Sequence, residues 1–167
     1  MALITTKNTA IISTDLPAGS VIQVQTTNAK ASLAATNSTS FVDLGITCSI
    51  TPSATSSKIL IHRTQGFYMY GGGSDVGFNT LLSRSIGGGS YTGLLSGRTA
   101  ATSSGSYMHA TNSELSDIQG LTILDEPNTT STVTYKIQCT MIGAGGSVNM
   151  NLSDDTYTNL TLLEIKG

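Results

Sequence analysis

A strand, a proline turn and a second strand follow one another between Gly45 and Ile61, and this segment constrains the fold more than any other. The apolar runs at its two ends are rich in isoleucine and threonine, which strands prefer. Between them lies Thr51-Pro52-Ser53, followed by small hydroxyl residues. Proline fixes φ, and the hydroxyl groups can bond to local backbone groups. The segment is therefore predicted to be structural. It forms two strands joined by a turn and contains no catalytic group.

The run from Thr132 to Ile142 alternates strictly between apolar and polar side chains. Successive side chains of a strand point to opposite faces, so one set is predicted to face the core and the other a polar face. The predicted core set is Val133, Tyr135, Ile137, Cys139 and Met141. No segment shows a capped helical stripe of apolar residues. The sequence thus predicts an all-β fold, an antiparallel sandwich or jelly roll of about ten strands.

The order of these runs predicts the domain organisation. Residues 1–19 are predicted to form an extended N-terminal arm, and residues 20–167 one jelly-roll domain, which is long enough to bury a core. Residues 28–38 are predicted to be a loop. Strands are predicted at residues 21–27, 40–44, 46–51, 58–70 with an interruption at Gly66, 76–86, 91–95, 106–110, 121–124, 132–142, 147–151 and 159–165.

The predicted strand 58–70 is apolar on both faces. Ile59, Ile61 and Phe67 share one parity, and the other parity is apolar or aromatic as well. A strand of this kind must be covered twice. One face can meet the domain core, whereas the other needs either further elements of the same chain or a neighbouring subunit, and the pattern leaves both open. Large, rigid aromatic side chains with a polar tip suit an interface. The candidate subunit-interface residues are Leu60, His62, Tyr68 and Tyr70.

The charge content narrows the class of partners. Charged residues make up 11% of the chain, with 8 Lys and Arg against 10 Asp and Glu. No basic stripe is present to neutralise phosphates or to hold the chain on a membrane surface, so neither nucleic acid nor membrane is expected as a partner. The first residues lack the basic region and apolar core of a signal peptide, and synthesis in a cytoplasm is expected. Cys48 and Cys139 are then predicted to be free, buried thiols.

The motifs of common catalytic sites are missing. No serine has the glycine pattern of a nucleophile elbow, and the glycine clusters lack the lysine and helix of a phosphate loop. Asp125-Glu126, before Pro127, is interpreted as turn chemistry. The four candidate zinc ligands, two histidines and two cysteines, have no ligand spacing. The sequence predicts a protein that is not an enzyme and has no catalytic residue, cofactor or metal.

Several segments together resemble a β-rich virion surface domain of tailed bacteriophages of marine bacteria, of capsid decoration, head-fibre or tail-fibre type. The resemblance spans about residues 16–166 and is carried by residues 16–24, 50–53, 56–61, 83–85, 124–127, 134–138 and 161–165. The strand pattern is also similar to the trimeric jelly rolls of tumour necrosis factor and of complement globular heads. The resemblance implies a homotrimeric virion structural protein, most simply a capsid decoration or head-fibre protein at the virion surface, made in the bacterial host cytoplasm.

The arm is predicted to attach the domain to the particle. It is polar and carries isolated apolar residues, namely Leu3, Ile4, Ile11 and Ile12. A segment of this kind can add a strand to an exposed sheet edge of the major capsid protein or of another virion protein. A frayed terminus is the alternative.

The rival function is a tail-fibre or receptor-binding tip that recognises a host surface glycan. The predicted loops at residues 71–75, 87–93, 100–113 and 143–147 are rich in Gly, Ser and Tyr, as adaptable binding loops are. Candidate contacts are Tyr91, Tyr107 and His109. The same loops are also consistent with solvated connections of a sandwich, and the sequence leaves this open.

Overall fold

The structure is a computed structural model of the whole chain. It describes the backbone of residues 16–29, 33–36, 38–71, 77–94, 104–107, 114–142, 146–150 and 158–167. Side chains are described for residues 16–28, 38–68, 77–94, 116–141 and 158–167. The regular structure in these ranges is entirely β. Within the same ranges, no helix of the length and hydropathy needed to span a membrane is found.

The described ranges contain eleven strand segments, against the ten or so that the sequence predicts for the chain. In chain order they are β1 Val21–Ala29, β2 Leu33–Thr36, β3 Val42–Ile50, β4 Lys58–Gly71, β5 Gly77–Ile86, β6 Thr92–Gly93, β7 Ser104–Tyr107, β8 Glu114–Asp125, β9 Val133–Ile142, β10 Gly146–Met150 and β11 Thr158–Ile165.

The segments form two antiparallel sheets, called sheet A and sheet B. In sheet A, β11 and then β10 lie end to end along one side of β4, with β1 and β2 beyond them. β8 pairs with the other side of β4 along nearly its full length. Sheet B has the order β3, β9, β5. On the side of β5 away from β9, β7 pairs with the beginning of β5 and β6 pairs with its later part. Each sheet therefore has four strand positions.

The core lies between the two sheets, which makes the molecule an antiparallel β-sandwich. Ile59, Ile61, Leu160 and Leu162 of sheet A belong to one buried cluster with the inward side chains of sheet B. The alternation predicted for Thr132 to Ile142 is confirmed, since its five predicted core residues are all buried. Burying a large aliphatic side chain contributes about 1.5–3 kcal/mol, so this cluster is the main stabilising element of the sandwich.

The strand boundaries differ from prediction at four places. One strand, β3 Val42–Ile50, replaces the two predicted at residues 40–44 and 46–51, because a register shift between Asp43 and Thr47 absorbs Gly45 at φ +72°. The amide of Gly45 donates to Asp43 Oδ1 at 2.9 Å, which stabilises this irregularity. β4 continues through Gly66 without a break. β2 lies inside the predicted loop 28–38, and β8 is longer than the predicted strand 121–124.

Two acidic side chains connect distant parts of the sandwich. Asp125 accepts from Arg84 Nη1 at 2.6 Å and from the Tyr135 hydroxyl at 2.7 Å, so it joins β8 of sheet A to sheet B. The interpretation of Asp125 as a turn residue is therefore wrong, since Asp125 is the last residue of β8. Ser53, predicted to bond locally, donates its amide and its hydroxyl to Glu164 Oε1 at 2.6 and 2.7 Å. The turn after β3 is thereby fixed to β11, 111 residues away in the chain.

The two cysteines are free and buried, as predicted. Cys48 lies opposite Tyr135, and Cys139 is four residues further along β9. The strand rise places them about 13 Å apart. A disulfide needs Cα atoms within about 7 Å, so the fold keeps these thiols separate.

Candidate interaction face

The face of sheet A that points away from the core is called here the outer face. Residues directly opposite one another in neighbouring strands share a face, so the registers define its members. They are Val24, Thr26 and Asn28 of β1; Asn159, Thr161, Leu163 and Ile165 of β11; Lys58, Leu60, His62, Thr64, Gly66 and Tyr68 of β4; and Ser116, Ile118, Gly120, Thr122 and Leu124 of β8.

An apolar row crosses the outer face from one edge of the sheet to the other. It contains one residue of each strand, in the order Val24, Leu163, Leu60 and Leu124. The two end residues are 55% and 51% exposed, and the two central ones are half-buried. Ile118, further along β8, is 59% exposed. Single exposed apolar residues are ordinary, but a contiguous row of them is typical of an interaction surface.

A polar row lies beside the apolar one and is held by hydrogen bonds within the sheet. Thr26 Oγ1 and Thr161 Oγ1 lie 3.1 Å apart, and His62 Nδ1 lies 3.0 Å from Thr122 Oγ1. The Asn159 amide donates to Thr26 Oγ1 at 3.1 Å, and the Thr161 hydroxyl donates to Asn159 Oδ1 at 2.7 Å. Connected side chains of this kind are fixed in position. The polar row is therefore preorganised.

Charge on the described outer face is confined to one end. Lys58, the first residue of β4, lies opposite Ile165 on the face of Leu60, and its ammonium forms an ion pair 2.7 Å long with Glu126. Depletion of charge is the compositional mark of the centre of a protein–protein interface. The row of leucine and valine, the hydrogen-bonded polar row and the uncharged centre together make this face suited to another protein surface.

The structure places the predicted interface residues on one face. Leu60, His62 and Tyr68 lie on the outer face, while Ile59, Ile61 and Phe67 are buried on the other. The backbone of Tyr70 follows the same parity as Tyr68, but its side chain lies outside the described residues. The subunit contact through these residues stays a prediction.

Sequence reasoning missed four apolar members of the outer face, namely Val24, Leu163, Leu124 and Ile118. A usable signal was present for two of them. Leu162-Leu163 and Ile123-Leu124 are apolar doublets within strands, and one member of such a doublet must point away from the core. Leu162 is buried and Leu163 is its outward neighbour.

Of the predicted glycan contacts, Tyr91 and the backbone of Tyr107 are described, and they lie far apart. Tyr91 is 40% exposed, and Lys136 Nζ lies 4.2 Å from its ring centroid. Tyr107 is in β7, opposite Gly77, and its side chain lies outside the described residues, as does the whole of His109. Tyr91 precedes Thr92, which pairs with Arg84 at the other end of β5. The strand rise separates the two tyrosine backbones by roughly 25 Å.

The arm residues Leu3, Ile4, Ile11 and Ile12 lie outside the described residues. The structure does describe the segment that follows them. The Gly19 amide donates to the Lys166 carbonyl at 2.7 Å, and the Lys166 amide donates to the Ser20 carbonyl at 2.9 Å. The Lys166 ammonium also donates to the Leu16 carbonyl. The chain therefore enters the domain beside the end of β11.

Burial shifts the pKa of three groups inside the sandwich, namely Cys139, Tyr135 and Arg63. Burial raises the pKa of Cys139 to about 12 and also raises the pKa of Tyr135, to which the Asp125 charge contributes further. Burial lowers the pKa of Arg63 to about 10. Arg63 donates to Thr80 Oγ1 at 2.7 Å and to Gln119 Oε1 at 3.0 Å.

In the part of the chain that the structure describes, no three His, Cys, Asp or Glu residues are grouped as metal ligands would be.

Comparisons with known proteins find matches among solved structures alone. No protein-family model matches the chain, and no curated protein matches it. Among solved structures it is similar to a chain in the structure of the Gx strain of infectious bursal disease virus, with 11% sequence identity and a TM-score of 0.35. The likeness covers 89% of this chain and 39% of the viral chain, so this chain spans less than half of the viral one. A likeness this distant assigns no function.

Proposed function

We propose that the protein is a non-enzymatic structural protein of a virion surface, and that it is a homotrimer whose subunits meet through the outer face of sheet A. The apolar row Val24, Leu163, Leu60 and Leu124 carries this proposal, because it crosses the whole sheet and half of its members are about half exposed. The resemblance to bacteriophage surface domains supplies the virion and its surface as the location, with synthesis in the bacterial host cytoplasm. It also favours a capsid decoration or head-fibre protein.

The energetics favour covering the outer face. Fully burying a large aliphatic side chain is worth about 1.5–3 kcal/mol. Val24, Leu124 and Ile118 each expose about half of their surface, so covering them contributes about 1 kcal/mol apiece. The charge on the described outer face lies at its end, where Lys58 is already paired with Glu126. In the proposed trimer, the outer faces of three copies meet around the threefold axis and cover these apolar side chains.

We also propose that the sandwich is a jelly roll. The support is the order of its eight strand positions: β1, β11, β4, β8 in sheet A and β3, β9, β5, β6 in sheet B. From β3 to β5 and from β7 to β10 the chain passes repeatedly between the sheets. Two four-stranded sheets with such connections are typical of jelly rolls.

The arm, residues 1–15 and the Leu16–Gly19 turn, is proposed to anchor the domain on the major capsid protein or on another virion protein. The hydrogen bonds of Gly19 and Lys166 support this, because they fix the point from which the arm leaves the domain. A truncated protein lacking residues 1–15 is expected to keep its oligomeric mass and to lose binding to particles. Binding of the truncated protein at the level of the full chain would overturn the anchoring role.

Two experiments test the assembly and its location. Sedimentation equilibrium of the full chain should give three times its mass of 17.3 kDa, and a monomer at all concentrations would overturn the trimer. Electron microscopy of particles carrying a labelled chain should place the label on the capsid lattice. Label at the tail alone would replace the decoration role with that of an adhesin.

Recognition of a host surface glycan is the second candidate function, and Tyr91 is the observation that favours it. Its exposed ring is held by the Lys136 ammonium, which also donates to Asp43 Oδ2 at 2.9 Å. Aromatic rings fixed at a surface are common in binding loops. Tyr91→Ala should abolish binding to host polysaccharide if this function holds, while Ser49→Ala on the same sheet should not. Equal binding by the two variants would remove Tyr91 from any such site.

A further inference from the structure

Two polar side chains of β4, Arg63 and Gln65, point into the sandwich. They share the parity of the buried residues Ile61 and Phe67, which come before and after them on the same face of the strand. Arg63 is 0% exposed and Gln65 is 1% exposed. Buried polar atoms are nearly always hydrogen-bonded, because the water that they lose has to be replaced by another partner.

The guanidinium of Arg63 belongs to a network that joins the two sheets. Its Nη1 donates to Thr80 Oγ1 of β5 at 2.7 Å, and its Nη2 donates to Gln119 Oε1 of β8 at 3.0 Å. The Thr80 hydroxyl also donates to Gln119 Oε1, at 3.4 Å. Sheet A and sheet B are therefore connected by polar contacts immediately beside Gln65.

The amide of Gln65 has no hydrogen-bond partner among the described residues. Its Nε2 and its Oε1 are both buried, and neither makes a hydrogen bond. On one side of Gln65, Arg63 bonds to Thr80 of the other sheet. On the other side, Phe67 packs against Phe78 with ring centroids 4.5 Å apart. The amide is thus enclosed between the two sheets, away from bulk water.

The two unbonded atoms of the Gln65 amide define the chemistry of a ligand. Nε2 needs an acceptor, and Oε1 needs a donor. An anion would satisfy Nε2 alone. A cation would satisfy Oε1 alone, and the charge of Arg63 on the same face of β4 opposes it. Water both donates and accepts, and it is small enough for an interior site.

We infer that Gln65 binds an ordered water molecule inside the sandwich, beside the Arg63 network. Internal waters have two to four polar partners, and the Gln65 amide supplies two. Thr158 of β11 and Gln119 of β8 lie directly opposite Gln65 on the same face. The Cβ atoms of such pairs are about 4.5–5.5 Å apart, which leaves both side chains within reach of this water. The site does not depend on the proposed trimer.

Water contacts of the Gln65 side chain test the site in solution. In NMR spectra of the full chain, the Nε2 protons of Gln65 should show NOEs to water with the sign of tightly bound water. Gln25, exposed on β1, is the matched control and should show the sign of mobile water. The same sign at both glutamines would overturn the water site and leave the proposed function standing.

A crystal structure tests the identity of the ligand. It should show a water oxygen at about 2.7–3.2 Å from Gln65 Nε2 and Oε1. Crystals soaked in sodium bromide should give no anomalous peak at this position. A bromide peak would replace the water by an anion, and a protein side chain bonded to both amide atoms would remove the site.

Gln65→Met distinguishes a bound amide from one that is only buried. Methionine has a similar length and no polar group that needs a partner. If the amide holds water, its loss should lower the Tm by about 2–4 °C. An unchanged or raised Tm would overturn the inference, because removing an unsatisfied amide is neutral or favourable. Gln25→Met should change the Tm by less than about 2 °C. The NMR measurement on the wild type decides if Gln65→Met does not fold.

Discussion

The outward faces of the two sheets differ in a way that their shared core does not explain. Sheet B presents Asp43, Thr47, Ser49, Thr134 and Lys136, with an ion pair at 2.9 Å and a pair of hydroxyl groups 2.8 Å apart. The described outer face of sheet A presents an apolar row, and its charge is confined to the Lys58–Glu126 pair at one end. Strands with one solvated face alternate between apolar and polar residues, whereas strands covered on both faces do not. Sheet B has the composition of a surface in water, whereas the outer face of sheet A is the one that we propose is covered by neighbouring subunits.

The largest expected effect separates the two faces of β11. Leu162→Ala leaves a cavity in the core and should lower the free energy of unfolding by about 2–5 kcal/mol. Leu163→Ala, one residue along on the outer face, should cost the dilute monomer only about 1 kcal/mol. Urea denaturation at low protein concentration measures both. Equal losses at the two positions would show that the outer face is already covered within the monomer.

A lysine on each face distinguishes their roles in assembly. Leu124→Lys puts an unpaired charge into the proposed contact and should weaken association by about 2 kcal/mol or more. Thr47→Lys places the same charge on the outward face of sheet B and should leave association unchanged. Analytical ultracentrifugation of both variants measures the difference. Dissociation by Thr47→Lys alone would transfer the contact to sheet B.

Alkaline pH should destabilise the sandwich through its core. The pKa of Cys139 is about 12 in the folded chain against an ordinary 9.0, so between these values the unfolded chain loses a proton that the folded chain keeps. The free energy of unfolding is unaffected below this window and falls within it, by up to about 1.4 kcal/mol per pH unit. Tyr135, whose pKa is also raised by burial, adds to the fall above its ordinary 10.0.

Cys139→Ala is the control for this titration. Its overall stability should be lower because the residue is buried, but the slope between pH 9.0 and 10.0 should be shallower than that of the wild type. Burial also raises the pKa of Cys48, so the slope should not vanish. An unchanged slope would remove Cys139 as a source of the pH dependence.

The smallest effect concerns the ion pair on sheet B. Burial alone would raise the pKa of Asp43, but hydrogen bonds from Lys136 and from the Gly45 amide outweigh it, and the pKa is lowered. Lys136→Met should cost less than about 1 kcal/mol, as partly exposed pairs do. It should move the Asp43 titration upward, which NMR can follow. An unmoved titration would mean that the Gly45 amide alone sets this pKa.

Period-two patterning was sufficient to predict the all-β class and most strands. β9 follows the predicted alternation residue by residue, and β4 was correctly predicted to be apolar on both faces. The same parity places Arg63 with Ile61 on the inward side, so its burial was readable from the sequence. Leu60, His62 and Tyr68 were placed on one face by the same argument.

What the sequence did not show depends on contacts between distant residues. Gly45 suggested a break, yet a register shift and one hydrogen bond to Asp43 keep β3 whole. Asp125 resembled a turn residue, and its partners Arg84 and Tyr135 lie in the other sheet. The outer face as a unit was hidden too, since Val24, Leu163, Leu60 and Leu124 come from four strands that only the sheet order brings together.

Radical footprinting of the assembled and the diluted protein tests the central claim most directly, because it reports the solvent exposure of individual side chains on both sheets. On assembly, Leu124, Ile118 and Val24 should become protected, while Tyr91 and Ile86 of sheet B, which are exposed in the monomer, should react as before. Protection of Tyr91 and Ile86 with unchanged reactivity of Leu124 and Ile118 would contradict the claim that the outer face of sheet A joins the subunits.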